Sequence, residues 1–177
     1  MPRPEKSLIE QIRRRAIAGP QVVTGIGDDC AVLRPKAGYD LLVTTDFTLE
    51  NVHFRREWHS PEVVGRRCIT RGLSDIAAMG GKPHTAFLSL ALEKRTPQKW
   101  VDRFLGALLA AAAEFDVSLA GGDTAQSNRG IQADIVVLGA VPREKAILRS
   151  GAGAGDLLYV TGRLGGSAAA IAGLRNG

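Results

Sequence analysis

Apolar positions along the chain switch between a helical period and unbroken runs, and the switches predict the elements. Leu8, Ile9, Ile12 and Ala16 share one face of a helix over residues 6–17. Gly19-Pro20 ends it, the loop TGIGDDCAVL (24–33) follows, and LLVTT (41–45) reads as a strand. Ser60, followed by Pro61 and Glu62, is a helix start, since proline at the first helical position lacks only an N–H that would be unpaired there anyway. That helix is expected to reach Met79, with or without a break, before Gly80-Gly81 and Pro83 stop it. TAFLSLAL (85–92) reads as a buried strand, with Phe87, Leu88 and Leu90 expected on an apolar sheet face that a second copy would cover. Thr96-Pro97 opens a second long helix through Trp100, Phe104, Leu108 and Ala112 to about Phe115. A short strand over 117–120 is expected to end in a loop, Gly121-Gly122-Asp123-Thr124, and 131–141 is the longest strand.

Beyond Ser150 the chain changes character: a glycine-rich loop (150–155), a short strand (157–161) and an apolar helix beginning near Ser167. Residues 1–148 are accordingly expected to form one domain, and 149–177 a linker with the start of a further lobe. Strands alternating with long helices indicate α/β or α+β, with the pairing of strands left open.

Composition narrows the function classes. Apolar residues make up 45% and charged residues 23%, as in ordinary globular proteins, while aromatic residues are only 5%, so the core must rest on aliphatic side chains. The net charge of +5 raises a nucleic-acid surface as one reading, but the arginines are dispersed (Arg13 to Arg15, Arg55-Arg56, Arg66-Arg67, Arg71) and no aromatics interleave with them for base stacking. No nucleic-acid partner is expected. Cys30 and Cys68 have no metal-ligand spacing and form no disulfide framework. With no apolar stretch at the N-terminus and no run long enough to span a bilayer, a cytoplasmic location without membrane association is expected.

Four acidic sites recur beside Gly, Ser or Thr: Asp28-Asp29, Asp46 after Thr44-Thr45, Asp75 after Ser74, and Asp123 between Gly122 and Thr124. Such residues are also what loops in general contain. Carboxylates with hydroxyl neighbours are hard oxygen ligands, suited to Mg²⁺, which is held by a few carboxylates together with substrate phosphates. The reading is therefore metal-bridged phosphate binding by Asp residues brought from separate loops. Neither a GxxxxGK[ST] phosphate loop nor the HRD and DFG signatures of protein kinases occur, so a nucleotide would be held by another architecture.

GIGDDCAVL (25–33), VTTDFTLENVHF (43–54), LSDIAAMGGKP (73–83), GGDTA (121–125) and LRSGAGAGDLLYVTG (148–162) resemble, in that order and spacing, the motifs of thiamine-monophosphate kinases. The resemblance implies an α+β fold, a small mixed sheet flanked by helices like the N-terminal domain of aminoimidazole-ribonucleotide synthetases, with two copies joined through their sheets in a homodimer. It implies that Asp29, Thr44, Thr45, Asp46, Asp75 and Asp123 hold Mg²⁺ around the phosphates of ATP. Gly122 and Arg149 would contact the nucleotide, and His53 the phosphate of thiamine monophosphate. The implied reaction is direct, in-line transfer of the γ-phosphate of ATP to thiamine monophosphate, giving thiamine diphosphate. No catalytic residue is assigned, because the acceptor phosphate is already deprotonated and needs no base.

Departures from the family pattern are LENVHF for VEGVHF, RGLSD for NLSD and GGDTA for GGDTT, which put the effect of Arg71 and Ala125 on nucleotide contacts in question. Family members continue further, into a lobe with a second Asp-rich motif of the form DxSDGL and a pocket for the thiamine rings, so residues 1–177 are expected to be the nucleotide and metal half, with little activity alone. The alternatives are another ATP-dependent member of the same superfamily, or a non-catalytic, dimerising nucleotide-binding fragment.

Overall fold

The computed structural model describes residues 4–27, 30–160 and 162–176. It divides into two compact units, Met1–Ile147 and Leu148–Gly177.

The first unit is a mixed α/β structure. Helix α1 (Glu5–Arg15) precedes a short hairpin of β1 (Val22–Thr24) and β2 (Val32–Leu33). Strands β3 (Tyr39–Leu49), β4 (Lys82–Glu93), β5 (Ser118–Ser127) and β6 (Gln132–Pro142) form a four-stranded sheet in the order β3-β6-β4-β5. β6 runs antiparallel to both of its neighbours, while β4 and β5 are parallel. Parallel neighbours need a crossover, and α3 (Gln98–Glu114) supplies it. Helix α2 (Pro61–Ala78) packs on α3 and on β3, β6 and β4. The expected small mixed sheet flanked by helices is thus observed.

Local signals account for the helix limits. Ser60 Oγ accepts the Val63 N–H at 3.4 Å with Pro61 at the first helical position, and α2 then runs unbroken to Ala78. Gly80, at φ 71°, turns the chain out of it.

Alternation sorts the sheet residues. Ala86, Leu88, Leu90 and Leu92 of β4 and Ala133, Ile135, Val137 and Val141 of β6 are buried beneath the helices with Phe104, Leu108, Ile69 and Ile76. On the opposite face Leu41, Val43 and Phe47 of β3 are exposed, beside the half-buried Val136 and Leu138.

Several expectations from the sequence change. Phe87, Leu88 and Leu90 do not form one apolar face, because consecutive strand residues point to opposite sides; Leu88 and Leu90 belong to the core. Gly121 to Thr124 do not form a loop but lie inside β5, which continues to Ser127. Asp46 lies inside β3 rather than at its end, and Asp75 lies in α2 rather than in a loop. Backbone pairing of β3 to β6 and of β5 to β4, and the helical turn of α2, carry these segments past residues that would otherwise favour loops. β1 and β2, too short to give a pattern, were not anticipated. Residues 157–160 carry no strand, and Thr161 lies outside the described residues. The second unit contains a 3₁₀ turn (Arg149–Gly151) and α4 (Gly166–Asn176). No helix among the described residues is long and apolar enough to cross a membrane.

Gly65 is where α2 and α3 touch: a Cβ there would collide with the carbonyl of Phe104. In an exposed helix Gly→Ala gains about 1 kcal/mol, but here the obstacle is rigid backbone and the helices must separate, an overpacking cost of about 3 kcal/mol. The clash outweighs the propensity, and Gly65→Ala should lower the urea midpoint with an unchanged m-value. A higher midpoint would show that the helices yield freely.

Candidate functional site

Two groups of the expected site residues form distinct clusters at the two edges of the sheet. At the β3 edge, Thr44, Asp46 and Thr48 point toward α2, since they alternate with the outward Val43, Thr45 and Phe47. Helix α2 presents Arg71 and Asp75, four residues apart and so on one side of it. Thr44 Oγ1 donates to Asp75 Oδ2 at 2.6 Å. Arg71 grips Asp46 with both arms of its fork, Nε to Oδ2 at 2.9 Å and Nη2 to Oδ1 at 2.7 Å, and its Nη1 donates to the Phe47 carbonyl at 2.9 Å.

His53 belongs to the same end of the molecule. The chain leaves β3 in a tight turn, with Asn51 at φ 65°, the left-handed region that asparagine tolerates. The His53 N–H donates to the Leu49 carbonyl at 2.8 Å, and His53 Nδ1 accepts the Leu49 N–H at 3.0 Å. The next residue, Phe54, is buried and stacks on Trp100, which stacks on Phe104, so the loop is anchored in the core. A backbone N–H can only donate, so Nδ1 carries a lone pair and the imidazole proton sits on Nε2. Burial holds the His53 pKa below the ordinary 6.5, helped by the Arg71 and Arg67 charges and opposed by Asp46.

Gly122 and Asp123 lie at the other edge, on β5. Gly122 adopts φ 147°, and a Cβ there would run into the Leu88 backbone, so only glycine lets β5 approach β4 this closely. Asp123 is exposed, and its Oδ1 accepts the Thr124 N–H at 2.8 Å. A cleft of about 770 Å³, large enough for a nucleotide, runs beside this strand between Ile9 and Ile12 of α1, Gly25 to Gly27, and Gly121 to Thr124. In register, Asp46 pairs with Ile135, Ile135 with Leu88, and Leu88 with Gly122. Three inter-strand steps of about 4.8 Å put Asp46 roughly 14 Å from Gly122 along the sheet.

Thr44, Asp46, Asp75 and His53 are therefore gathered at one edge, and Gly122 and Asp123 are not with them. Thr45 points to the opposite, open face. Arg149 lies in the second unit, in its 3₁₀ turn, and Asp29 lies outside the described residues. Among the described residues, no three His, Cys, Asp or Glu side chains converge on one point. The donor chemistry nevertheless fits Mg²⁺: a hydroxyl and carboxylates, all hard oxygens, open to water, for an ion that needs only one or two carboxylates besides phosphates.

Two residues at this edge were not foreseen in these roles. Arg71 is the partner of Asp46, which spacing across 25 residues of sequence could not reveal. Asp134, on β6, has an Oδ1 with no hydrogen-bond partner, and burial together with the Asp46 charge pushes its carboxyl pKa up. Its signal was an acid opening the apolar run DIVVLGAV.

The lowered His53 pKa fixes the sign of a pH effect. The unfolded chain takes up the proton first, so the contribution of His53 to stability is complete above 6.5 and is lost as pH falls through that value toward the lower folded one. Urea unfolding between about pH 7 and 5 should show wild type losing stability more steeply than His53→Gln, and the NMR titration of His53 should give a midpoint below 6.5. Parallel curves for the two proteins would contradict the neutral, Nδ1-accepting ring.

Residues 27–141 match the AIR synthase related protein, N-terminal domain. The thiamine-monophosphate kinase of Bacillus subtilis is 36% identical over 171 residues, covering 94% of this chain and 51% of that protein. A crystal structure of thiamine-monophosphate kinase from Stenotrophomonas maltophilia superposes with a TM-score of 0.68 at 34% identity, over 80% of this chain and 43% of that one. AaThiL complexed with AMPPCP and TMP gives a TM-score of 0.58 at 32% identity, over 62% of this chain and 35% of that one. The chain spans about half the length of the curated relatives it matches. With the family's domain matched across most of its first unit, the chain belongs to the AIR synthase-related family and carries that family's N-terminal domain.

Proposed function

We propose that this chain is the magnesium- and nucleotide-binding half of an enzyme that transfers the γ-phosphate of ATP to thiamine monophosphate. One observation carries the reading. The hard-oxygen set Thr44, Asp46 and Asp75 sits beside a neutral His53 in a chain similar to AaThiL, whose structure holds AMPPCP and TMP.

The residues then have separable tasks. Thr44, Thr45, Asp46, Asp75 and Asp123, with Asp29, are the groups that would hold Mg²⁺. When bound, the ion would supply positive charge to offset that of the phosphates. His53, with its proton on Nε2, is a neutral donor for an oxygen of the acceptor phosphate, and the Leu49 N–H and the Phe54 anchor keep its ring in place. Gly122, in the wall of the cleft, brings bare backbone to the nucleotide. Because the acceptor is already ionised, positioning and charge neutralisation supply the catalysis and no general base is required.

The homodimer is part of the same reading. Asp46 and Asp123 of one chain are too far apart to share an ion, and a second copy joined through the exposed Leu41, Val43 and Phe47 face can place one edge near the other. An apolar sheet face of this kind is costly to leave in water.

Two measurements test the proposal. Isothermal titration with Mg-ADP should show binding that a chelator abolishes, and Asp75→Asn should weaken it at least about tenfold, the loss of one charged ligand being worth about 1.4 kcal/mol or more. Equal binding with and without chelator would remove the metal from the account. Sedimentation equilibrium should give a dimer at micromolar concentration and a monomer for Val43→Glu. A wild-type monomer would refute the shared site.

A further inference from the structure

Arg71 spends its whole guanidinium fork on β3. Two of its nitrogens occupy both oxygens of Asp46, and the third holds the Phe47 carbonyl beside it. The pair is not sealed in the core: the side chains retain 36% and 22% of their exposure, so water and ions reach it.

We propose that Arg71 is an internal counter-cation that occupies Asp46 in the metal-free protein and that a divalent cation must displace to use this carboxylate. This rests on the reading of Asp46 as a metal ligand given above. A carboxylate gripped by a planar fork presents one lone pair of each oxygen to two fixed N–H donors, and an inner-sphere ion at about 2.0–2.1 Å competes for the same oxygens. Two cations on one carboxylate also repel each other. Arg71 and the metal therefore compete, and the protein binds divalent ions more weakly than its carboxylates alone would allow. In exchange, Asp46 is neutralised when no ion is present, although Asp134 lies close enough for the two charges to interact. Released from Asp46, the guanidinium remains on α2 within electrostatic reach of His53, with Arg67 one turn earlier.

The test is a Mn²⁺ titration of this chain, reading free Mn²⁺ by electron paramagnetic resonance, with thermal melts in parallel. Arg71→Met keeps the apolar stem and removes the charge. It should bind Mn²⁺ about fivefold tighter, the equivalent of one partly exposed ion pair. Its melting temperature should fall without metal and approach that of wild type at saturating Mn²⁺. Arg71→Lys, a point charge without the fork, should lie between the two. In wild type, titration with Mg²⁺ should shift the Arg71 Nε–H resonance away from its carboxylate-bonded position, a readout that needs no variant to fold. Unchanged Mn²⁺ affinity with equal melting losses in both conditions would make Arg71 a structural tie and overturn the inference alone, as would an Nε–H signal that Mg²⁺ does not move. Weaker binding by Arg71→Met would overturn it too. Failure of wild type and variants alike to bind Mn²⁺ would overturn the metal reading of Asp46, and the inference with it.

Discussion

Four residues along an α-helix and two along a β-strand cover nearly the same distance, about 6 and 6.7 Å, and the polar edge of this domain depends on that match. Arg71 and Asp75 on α2 meet Asp46 and Thr44 on β3, with the helix rising as the strand descends, so both bonds form side by side. The match matters only if α2 lies close to the sheet, which it can do because Gly72 and Gly139 carry no side chains. A Cβ on Gly72 would stand 2.6 Å from Val137 Cγ2, and one on Gly139 would stand 2.5 Å from Ile76 Cγ2. Larger residues at either position would lift the helix and lengthen both polar bonds together.

The same close packing separates the functions of the two faces. Beneath α2 and α3 the sheet is sealed by Leu88, Leu90, Ile135 and Val137, while at the β3 edge Asp46 and Asp75 keep contact with solvent. The opposite face is left with Val43, Phe47 and Leu41 in the open. Anchoring through Phe54, Trp100 and Phe104 ties the His53 turn to the same core. On the proposed reading, ion binding at Asp75 and phosphate binding at His53 would act on elements packed on one core.

Local chemistry made much of this legible in the sequence. Ser60-Pro61 marked the start of α2, the β-branched run 131–141 marked β6 to within a residue at each end, and the ordered motifs marked the family. Pairing was not legible. Asp46 and Asp123 looked like loop residues because Asp, Gly and Thr favour turns, yet both lie in strands whose hydrogen bonds come from neighbours distant in sequence. Phe87 and Leu88 looked like one apolar patch until the pleat put them on opposite sides. The separation of Asp46 from Asp123 follows from the order β3-β6-β4-β5, which no local pattern encodes.

That separation has an electrostatic rationale. Carboxylates that jointly hold metal ions repel one another before the ions arrive, and at short range in a partly desolvated site the repulsion is worth kilocalories per pair. Here the sheet keeps Asp123 roughly three strand spacings from Asp46 and leaves it on its own backbone amide. Asp75 accepts a hydrogen bond from the Thr44 hydroxyl, and Asp46 is neutralised by Arg71. Each of these three acids thus has a partner within the chain. On the proposed reading, the cost of gathering like charges is deferred until phosphate, magnesium and a second copy arrive together, when the incoming cations compensate the charges they bring close.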